Sequence, residues 1–276
     1  MVSYLLYVIA ATLIKLCPRK SATRFAAAIA FIFYSFRSRI RKNIQRNFAA
    51  LGRTDAKTFV VFRNFSRSVA DFLKLTAGRR EQLVRLCRIR GLENLDEALE
   101  KGNGAILFCP HLGPWELAGA YLASLGYRIH TVALEHPSAG VTRFFSERRR
   151  SWGIMDYSIG ECIGKLIQAL RNGDVIVLLI DRNFTGNGMT VNFLGNTVTL
   201  PDGHIILSMR TAAPLLPCCC YYDENGSIQA IVDPAVVPSL ESAPPHEVGQ
   251  ACIERIEAYI RAHPEQWFAF DHLWPE

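Results

Sequence analysis

An imidazole and a carboxylate lie five positions apart in the segment His111-Leu-Gly-Pro-Trp-Glu116, directly after the apolar run 105–109. The run is typical of a buried strand, and Pro114 suits the first turn of a following helix, where its missing N–H costs little. The pattern therefore predicts His111 on a strand-to-helix loop and Glu116 in the first helical turn. A base that a carboxylate orients can take a proton from a hydroxyl, and we interpret the pair in that way.

The spacing of this pair is weak evidence by itself, because it occurs again at His130 and Glu135. The surrounding segment, 128–134, has the composition of a strand, and an odd offset along a strand places two side chains on opposite faces. We therefore interpret His130 as structural. Cys109 could serve as a nucleophile for an acyl-cysteine, but its position inside the apolar run favours a buried thiol.

Four segments, in the same order along the chain, resemble the bacterial lipid A biosynthesis acyltransferases, the lauroyl and myristoyl transferases of the lysophospholipid acyltransferase superfamily. They are the His111–Glu116 motif, Arg148-Arg-Arg-Ser-Trp-Gly153, Asp181-Arg-Asn-Phe-Thr-Gly-Asn-Gly188 followed by Val191-Asn-Phe-Leu-Gly195, and His263-Pro-Glu-Gln-Trp267. The resemblance covers nearly the whole chain. Val132-Ala-Leu-Glu135 and Asp181-Arg182 are also similar to the actinobacterial phosphatidylinositol mannoside acyltransferases, a sister branch, so the acceptor stays open.

The resemblance implies catalytic roles for the two residues of the motif. His111 is then the general base, and Glu116 holds its tautomer and stabilises the imidazolium. It also makes substrate-binding or oxyanion candidates of Arg149, Arg150, Asp181, Arg182 and Gly113. Without the resemblance, the residues favour Asp181 as a turn residue or a loop cap and the arginines as solvated side chains.

The implied reaction moves a fatty acyl chain from an acyl carrier protein or coenzyme A thioester to a hydroxyl of a lipid A precursor or related glycolipid. A phosphatidylinositol mannoside or a lysophospholipid is the alternative acceptor. No metal or redox cofactor is implied, and the eight cysteines show no metal or disulfide spacing. A non-catalytic membrane-surface protein is an alternative of a different class, which thioester-dependent acylation of a lipid would exclude.

Basic residues concentrate in the first third of the chain. Residues 1–90 hold nineteen Lys and Arg against three Asp and Glu, a net charge of +16, whereas the remainder carries −10. This asymmetry indicates a polyanionic partner. The apolar runs 4–14 and 25–36 favour membrane phospholipids over a nucleic acid, for which no binding motif is present.

Each apolar run is shorter than the roughly 20 residues of a spanning helix, so we expect monotopic insertion, with a single-pass anchor over 2–17 as the alternative. The thioester donors and the basic flanks favour the cytoplasmic face of the bacterial inner membrane.

An α/β fold is predicted from the order of the periodic segments. Helices are predicted over 2–16, 21–36, 37–51, 55–76, 92–101, 114–125, 138–151, 160–172, 203–212 and 246–262. Strands are predicted over 87–90, 104–109, 129–134, 154–157, 175–180, 214–222 and 228–232. Continuous apolar strands are typical of a sheet covered on both faces. We expect a helical, membrane-associating part over 1–86, packed on a layered, mixed β-sheet acyltransferase domain over 87–276 as one continuous unit.

Overall fold

A central mixed sheet with helices on both faces is seen in a computed structural model that describes residues 2–55, 57–75, 79–236 and 240–274. Within these residues the helices are α1 (Val2–Leu16), α2 (Arg19–Phe36), α3 (Ser38–Ala50), α4 (Thr58–Lys74), α5 (Arg80–Leu86), α6 (Leu92–Glu100), α7 (Trp115–Ser124), α8 (Ala139–Ser151), α9 (Ile163–Arg171), α10 (Gly203–Thr211) and α11 (Pro245–Ala262). The strands are β1 (Cys87–Arg90), β2 (Ala105–Cys109), β3 (Ile129–Ala133), β4 (Met155–Ser158), β5 (Val175–Leu179), β6 (Met189–Phe193), β7 (Asn196–Leu200), β8 (Leu215–Tyr222) and β9 (Ile228–Val232). The predicted fold class is thereby confirmed.

Seven strands form the main sheet in the order β1-β9-β8-β2-β5-β3-β4, and β6 and β7 form a separate hairpin. Neighbours in the main sheet run parallel, apart from the antiparallel pair of β8 and β9. The carboxyl ends of β2, β5 and β3 therefore lie at one edge, where ligands of open α/β sheets gather.

Strand β2 contributes to two hydrophobic cores, because successive side chains of a strand point to opposite faces. Ile106 and Phe108 pack among side chains of α9, α10 and α11. Ala105 and Leu107 pack on the other face, among side chains of α6 and α7. This two-sided burial explains the unbroken apolar composition from which the strand was predicted.

The N-terminal helices pack closely through small side chains and are fastened to the sheet by a buried carboxylate. Ala22, Ala26 and Ala30 are buried along one stripe of α2. Asp71 of α4 accepts hydrogen bonds from Arg19 at 2.9 and 2.7 Å, and from the Tyr222 hydroxyl of β8 at 2.8 Å. The proposed boundary between residues 86 and 87 stays a prediction.

Helix α5 and both strands of the β6–β7 hairpin were not predicted. The hairpin turns at Leu194 and Gly195, which have φ values of 52° and 82°. Two successive positive φ values are typical of the two-residue hairpin turn, which usually carries Asn-Gly rather than Leu-Gly. Leu194 is held there by a 2.6 Å hydrogen bond from its backbone N–H to Glu257 Oε1.

The length and composition of the described helices bear on the expected membrane anchor. None of them is both long enough and apolar enough to cross a bilayer. The single-pass alternative over 2–17 is therefore not supported by any described helix. The predicted helix over 55–76 includes positions 56 and 76, which lie outside the described residues.

Candidate active site

The candidate site is built where two central strands end. β2 and β5 run parallel with Cys109 opposite Leu179, and the chain continues two residues beyond each strand to His111 and Asp181. Ile180 N–H donates to Cys109 O at 3.1 Å and so extends the pairing past the strands. The sheet register therefore brings the histidine and the aspartate side by side.

Asp181 is the carboxylate that orients His111. Its Oδ1 lies 2.6 Å from His111 Nδ1, and both of its oxygens lie 3.0 Å from the His111 backbone nitrogen. Trp267 Nε1 donates to Oδ2 at 2.8 Å. Asp181 is 0% exposed, so every contact that satisfies this carboxylate comes from the protein.

The protonation state of Asp181 follows from these donors. Burial alone would raise the pKa of Asp181, but the charge and hydrogen bonds of His111, together with the Trp267 bond, outweigh burial and lower that pKa. An ionised carboxylate can only accept hydrogen bonds, so His111 Nδ1 must be the donor. The proton of the neutral imidazole then lies on Nδ1, and the lone pair of Nε2 can act as a base.

Glu116 does not have the orienting position that we expected from the spacing. Its carboxylate accepts hydrogen bonds from Arg149, at 3.0 Å from Nε and 2.6 Å from Nη2, while Arg149 Nη1 lies 3.2 Å from Asp156 Oδ2. Burial works against the arginine charge, yet the two carboxylates raise the pKa of Arg149. The first turn of α7 thus directs Glu116 to α8, and the expectation that it holds the His111 tautomer is wrong.

The remaining oxyanion and substrate candidates are also placed by the structure. Gly113 donates its N–H to Gln266 O at 2.9 Å, so this group is already used and the oxyanion expectation is not supported. Arg182 pairs with Asp271, and its guanidinium lies over the Phe184 ring. Arg150 is largely exposed, with Nε 3.8 Å from Asp156 Oδ1.

Gly113 itself is required by the backbone. It has a φ of +60°, and an added Cβ would lie 2.2 Å from Cys220 O. No L side chain fits this approach without a shift of β8, since a contact of that length is far inside van der Waals distance. The loop of His111 therefore lies directly on β8.

His130, the second histidine with this spacing, lies away from the strand ends that carry the site. Its Nε2 lies 3.0 Å from Asp174 Oδ2, and its Nδ1 lies 3.0 Å from the Tyr157 hydroxyl. The residue is buried. Both ring nitrogens are satisfied by protein groups, as expected for a structural histidine.

A second segment, Gln266–Trp267–Phe268, which we call the C-terminal strap, holds the His111 loop and was not predicted as part of the site. Leu112 and Trp267 form an antiparallel bridge. Phe268 N–H donates to His111 O at 2.8 Å on one side of the bridge, and Gly113 N–H donates to Gln266 O on the other. Gln266 and Trp267 of the strap belong to the segment that resembles the family's C-terminal signature. That resemblance was the signal from which the strap could have been predicted as part of the site.

A narrow apolar cavity of about 40 Å³ lies beneath the His111 loop, between α7 and the sheet. It is lined at the loop by Pro110, Leu112 and Trp115, and farther in by side chains of α7, β2, β8 and β9. Trp115 also meets the His111 ring edge to face, with ring centroids 5.4 Å apart. Apolar surface therefore begins directly beside the candidate base.

Comparisons with known proteins show the family to which the chain belongs. A family profile described as bacterial lipid A biosynthesis acyltransferase matches residues 1–276. A phosphatidylinositol mannoside acyltransferase of Mycobacterium tuberculosis is 33% identical over 193 residues, 67% of this chain and 59% of that protein. The protein of the same name from Mycolicibacterium smegmatis is 28% identical over 217 residues, 76% of this chain and 70% of its own length.

A lipid A biosynthesis acyltransferase of Haemophilus influenzae is 25% identical over 181 residues, 64% of this chain and 55% of that protein. The chain thus matches less than two thirds of the length of the Mycobacterium tuberculosis relative. Since the family profile spans every residue, the chain belongs to the bacterial lipid A biosynthesis acyltransferase family.

Proposed function

We propose that this protein is a membrane-associated O-acyltransferase that moves a fatty acyl chain from an acyl carrier protein or coenzyme A thioester to a glycolipid hydroxyl. The observation that carries the proposal is the His111–Asp181 pair, which leaves Nε2 of the imidazole as a base beside an apolar cavity. The relatives named for phosphatidylinositol mannosides and for lipid A support a glycolipid acceptor of either kind.

The proposed reaction is a direct transfer. His111 Nε2 takes the proton of the acceptor hydroxyl, and the oxygen of that hydroxyl attacks the thioester carbonyl. The C–S bond then breaks, and the protonated imidazole returns its proton to the leaving thiolate. Asp181 stabilises the imidazolium between these steps, and general-base help of this kind contributes roughly 10²–10⁴ to the rate. These steps need no resident metal or redox cofactor.

A covalent route through Cys109 is disfavoured by its surroundings. Cys109 is buried in β2, and its thiol donates to Leu178 O at 3.8 Å. A nucleophilic cysteine needs an exposed, electropositive environment, and this one is apolar. We expect Cys109→Ala to stay active, and a stoichiometric acyl-enzyme trapped at Cys109 would replace direct transfer by a two-step route.

The donor chain is proposed to lie in the cavity between α7 and the sheet. A volume of about 40 Å³ holds only one or a few water-sized groups, so a long chain must displace side chains along it. The lining is almost wholly apolar, with cysteine thiols in place of polar groups, as a hydrocarbon requires. Chain length would then be set by how far these side chains move.

The proposed membrane surface combines exposed apolar and basic side chains of the N-terminal helices. Leu16 of α1 and Phe36 of α2 are 80% and 83% exposed, and Ile32 is also exposed. Arg39 and Lys42 are exposed on the adjoining α3. Apolar side chains insert into the interface, and each basic residue near an anionic surface adds about 1 kcal/mol.

A series of packed aromatic rings connects this surface with the candidate base. Tyr34 of α2 contacts Phe62 at a centroid distance of 5.6 Å, and Phe62 belongs to the same hydrophobic cluster as Phe268. Phe268 in turn contacts Trp115 at 5.9 Å, beside His111. Insertion of α2 would therefore bring the site to the membrane interface, where a lipid acceptor resides.

The test of the enzymatic proposal is acyl transfer from labelled acyl carrier protein and coenzyme A thioesters to extracted membrane glycolipids, followed by mass spectrometry. His111→Ala should lose transfer while circular dichroism shows an intact fold. His246→Ala is the matched control, because His246 is an exposed histidine of α11. Equal transfer by the His111 variant and the wild type would contradict the proposed base. A wild type that acylates no lipid would favour a non-catalytic membrane protein.

The membrane proposal is tested by co-sedimentation with anionic vesicles across a salt series. Phe36→Ser together with Leu16→Ser should weaken sedimentation at high salt, where the apolar share of binding dominates. Arg39→Gln together with Lys42→Gln should weaken it at low salt instead. Unchanged sedimentation of both double variants at every salt concentration would refute this surface.

A further inference from the structure

The indole of Trp267 contacts the side of Asp181 that does not face the imidazole. Its Nε1 donates to Oδ2 at 2.8 Å, whereas Oδ1 lies 2.6 Å from His111 Nδ1. An indole nitrogen can only donate a hydrogen bond. The atom at that position of residue 181 must therefore be an acceptor, whatever the imidazole does.

We propose that Trp267 is a positioning residue for His111, whose indole N–H fixes the orientation of the Asp181 side chain and so holds Oδ1 against Nδ1 of the imidazole. Its effect on rate rests on the proposed acyl transfer. Its effect on the hydrogen bond between His111 and Asp181 is a property of the substrate-free protein, so the two can be tested apart.

The backbone around Trp267 suits such a role, because the same three residues that carry the indole also hold the histidine loop. The strap residues Gln266 and Phe268 are hydrogen-bonded to Gly113 and His111. Gln266 is fixed in turn, since its side chain accepts from Tyr222 N–H and donates to Tyr222 O, both at 2.8 Å. The strap thus fixes the positions of the indole and the imidazole relative to each other, and a small shift of either ring would change its hydrogen bond to Asp181.

Packing is the competing explanation for Trp267. The side chain is 1% exposed and contacts Phe193 edge to face, with centroids 6.0 Å apart. Packing alone, however, requires no donor at Nε1. Two substitutions separate the explanations, because histidine and phenylalanine both replace the indole by a single ring, but only histidine keeps a ring nitrogen that can overlie Nε1.

The closing experiment compares Trp267→His with Trp267→Phe in the full-length protein. If the donor matters, kcat/KM should be highest in the wild type, lower in Trp267→His and lowest in Trp267→Phe. The values of the two variants should differ by roughly tenfold or more, as for a hydrogen bond to a charged acceptor. If only packing matters, the larger phenylalanine should equal or exceed histidine. That reversed order would overturn the proposal.

Nitrogen NMR of the labelled imidazole gives a measurement that needs no substrate. His111 should carry its proton on Nδ1 in all three proteins, because the Asp181 carboxylate remains an acceptor. In Trp267→Phe the carboxylate loses the donor that fixes its orientation, so the Nδ1 proton should exchange with solvent faster than in the wild type and in Trp267→His. Equal exchange of this proton in Trp267→Phe and in the wild type would also overturn the proposal. A wild type with the expected tautomer but no acyl transfer would count against the proposed function only.

A second variant decides the question if Trp267→Phe does not fold. In Asp181→Asn the amide oxygen must face the indole N–H, so its NH₂ group faces the imidazole and should move the proton of His111 to Nε2. Adding Trp267→His supplies a ring nitrogen that can accept from this amide, and should restore the Nδ1 proton in part. An Nδ1 proton in the single Asp181→Asn variant would show that Trp267 does not direct the carboxylate.

Discussion

His204 is predicted to make the fold sensitive to acid. The residue lies in the first turn of α10 and is 3% exposed, and neither of its ring nitrogens has a hydrogen-bond partner among the described residues. Its ring instead lies 5.7 Å from that of Phe108 in the hydrophobic core. Burial without a partner disfavours the imidazolium and lowers the pKa of His204 to about 4.

The direction of the pH effect follows from the two states of the chain. In the unfolded chain the pKa is about 6.5, so between about pH 6.5 and pH 4 the unfolded state binds a proton that the folded state does not. The free energy of unfolding therefore falls as the pH drops through this window. With a folded pKa of about 4, the loss at about pH 5 is about 2 kcal/mol relative to neutral pH.

The assay is urea unfolding of the wild type and of His204→Leu at neutral pH and at about pH 5. The difference between the free energies of unfolding of the two proteins at each pH contains no contribution from the other titrating groups, because both proteins share those groups. The advantage of the leucine variant should grow by about 2 kcal/mol between the two conditions. His246→Leu, at an exposed position of α11, is the control, and its free energy of unfolding should change with pH as that of the wild type does. Equal pH dependence of the His204 variant and the wild type would refute the reasoning.

Three further predictions concern catalysis and stability. Asp181→Asn should lower acyl transfer by roughly 10²–10⁴-fold, since the amide NH₂ group would face the imidazole and move its proton to Nε2, where the base must act; activity within threefold of wild type would contradict this. Asp71→Ala should lower the free energy of unfolding by roughly 3 kcal/mol, because Arg19 loses its partner inside the helix–sheet contact, and a loss below about 1 kcal/mol in urea would argue against it. Gly119→Ala should raise stability by about 0.5–1 kcal/mol, because the new Cβ would meet Ile154 Cδ1 at an ordinary 3.6 Å; a lower melting temperature would disprove it.

Much of the fold could be predicted because its strands and helices carry strong local signals. The apolar strand over 175–180 and the change to strand–helix alternation after Gly91 needed no long-range information. The hairpin of β6 and β7 escaped prediction because its turn uses Leu194, which rarely takes a positive φ, and because Glu257 of a distant helix stabilises it. The alternation of Val191 and Phe193 was the available local signal.

The candidate site was less predictable, because its partners are distant in sequence. His111 could be found from its place after a strand, but its orienting carboxylate is 70 positions away. Only the order of the strands, with β5 beside β2, selects Asp181 over Glu116. Spacing along a chain reports which residues share one element, and it carries no information about which strand lies next to which.

Hydrogen bonds of the C-terminal strap and of the residues directly after it also bear on the order of events during synthesis. Asn47 of α3 donates to Ala269 O at 3.0 Å and to Asp271 O at 2.9 Å, while Phe268 closes the loop of His111. The first helices leave the ribosome long before residues 266–271 are made, so they can begin to fold while His111 still lacks the hydrogen bonds that hold its loop. The histidine of a nascent chain would thus be oriented only after residues 266–271 have been made.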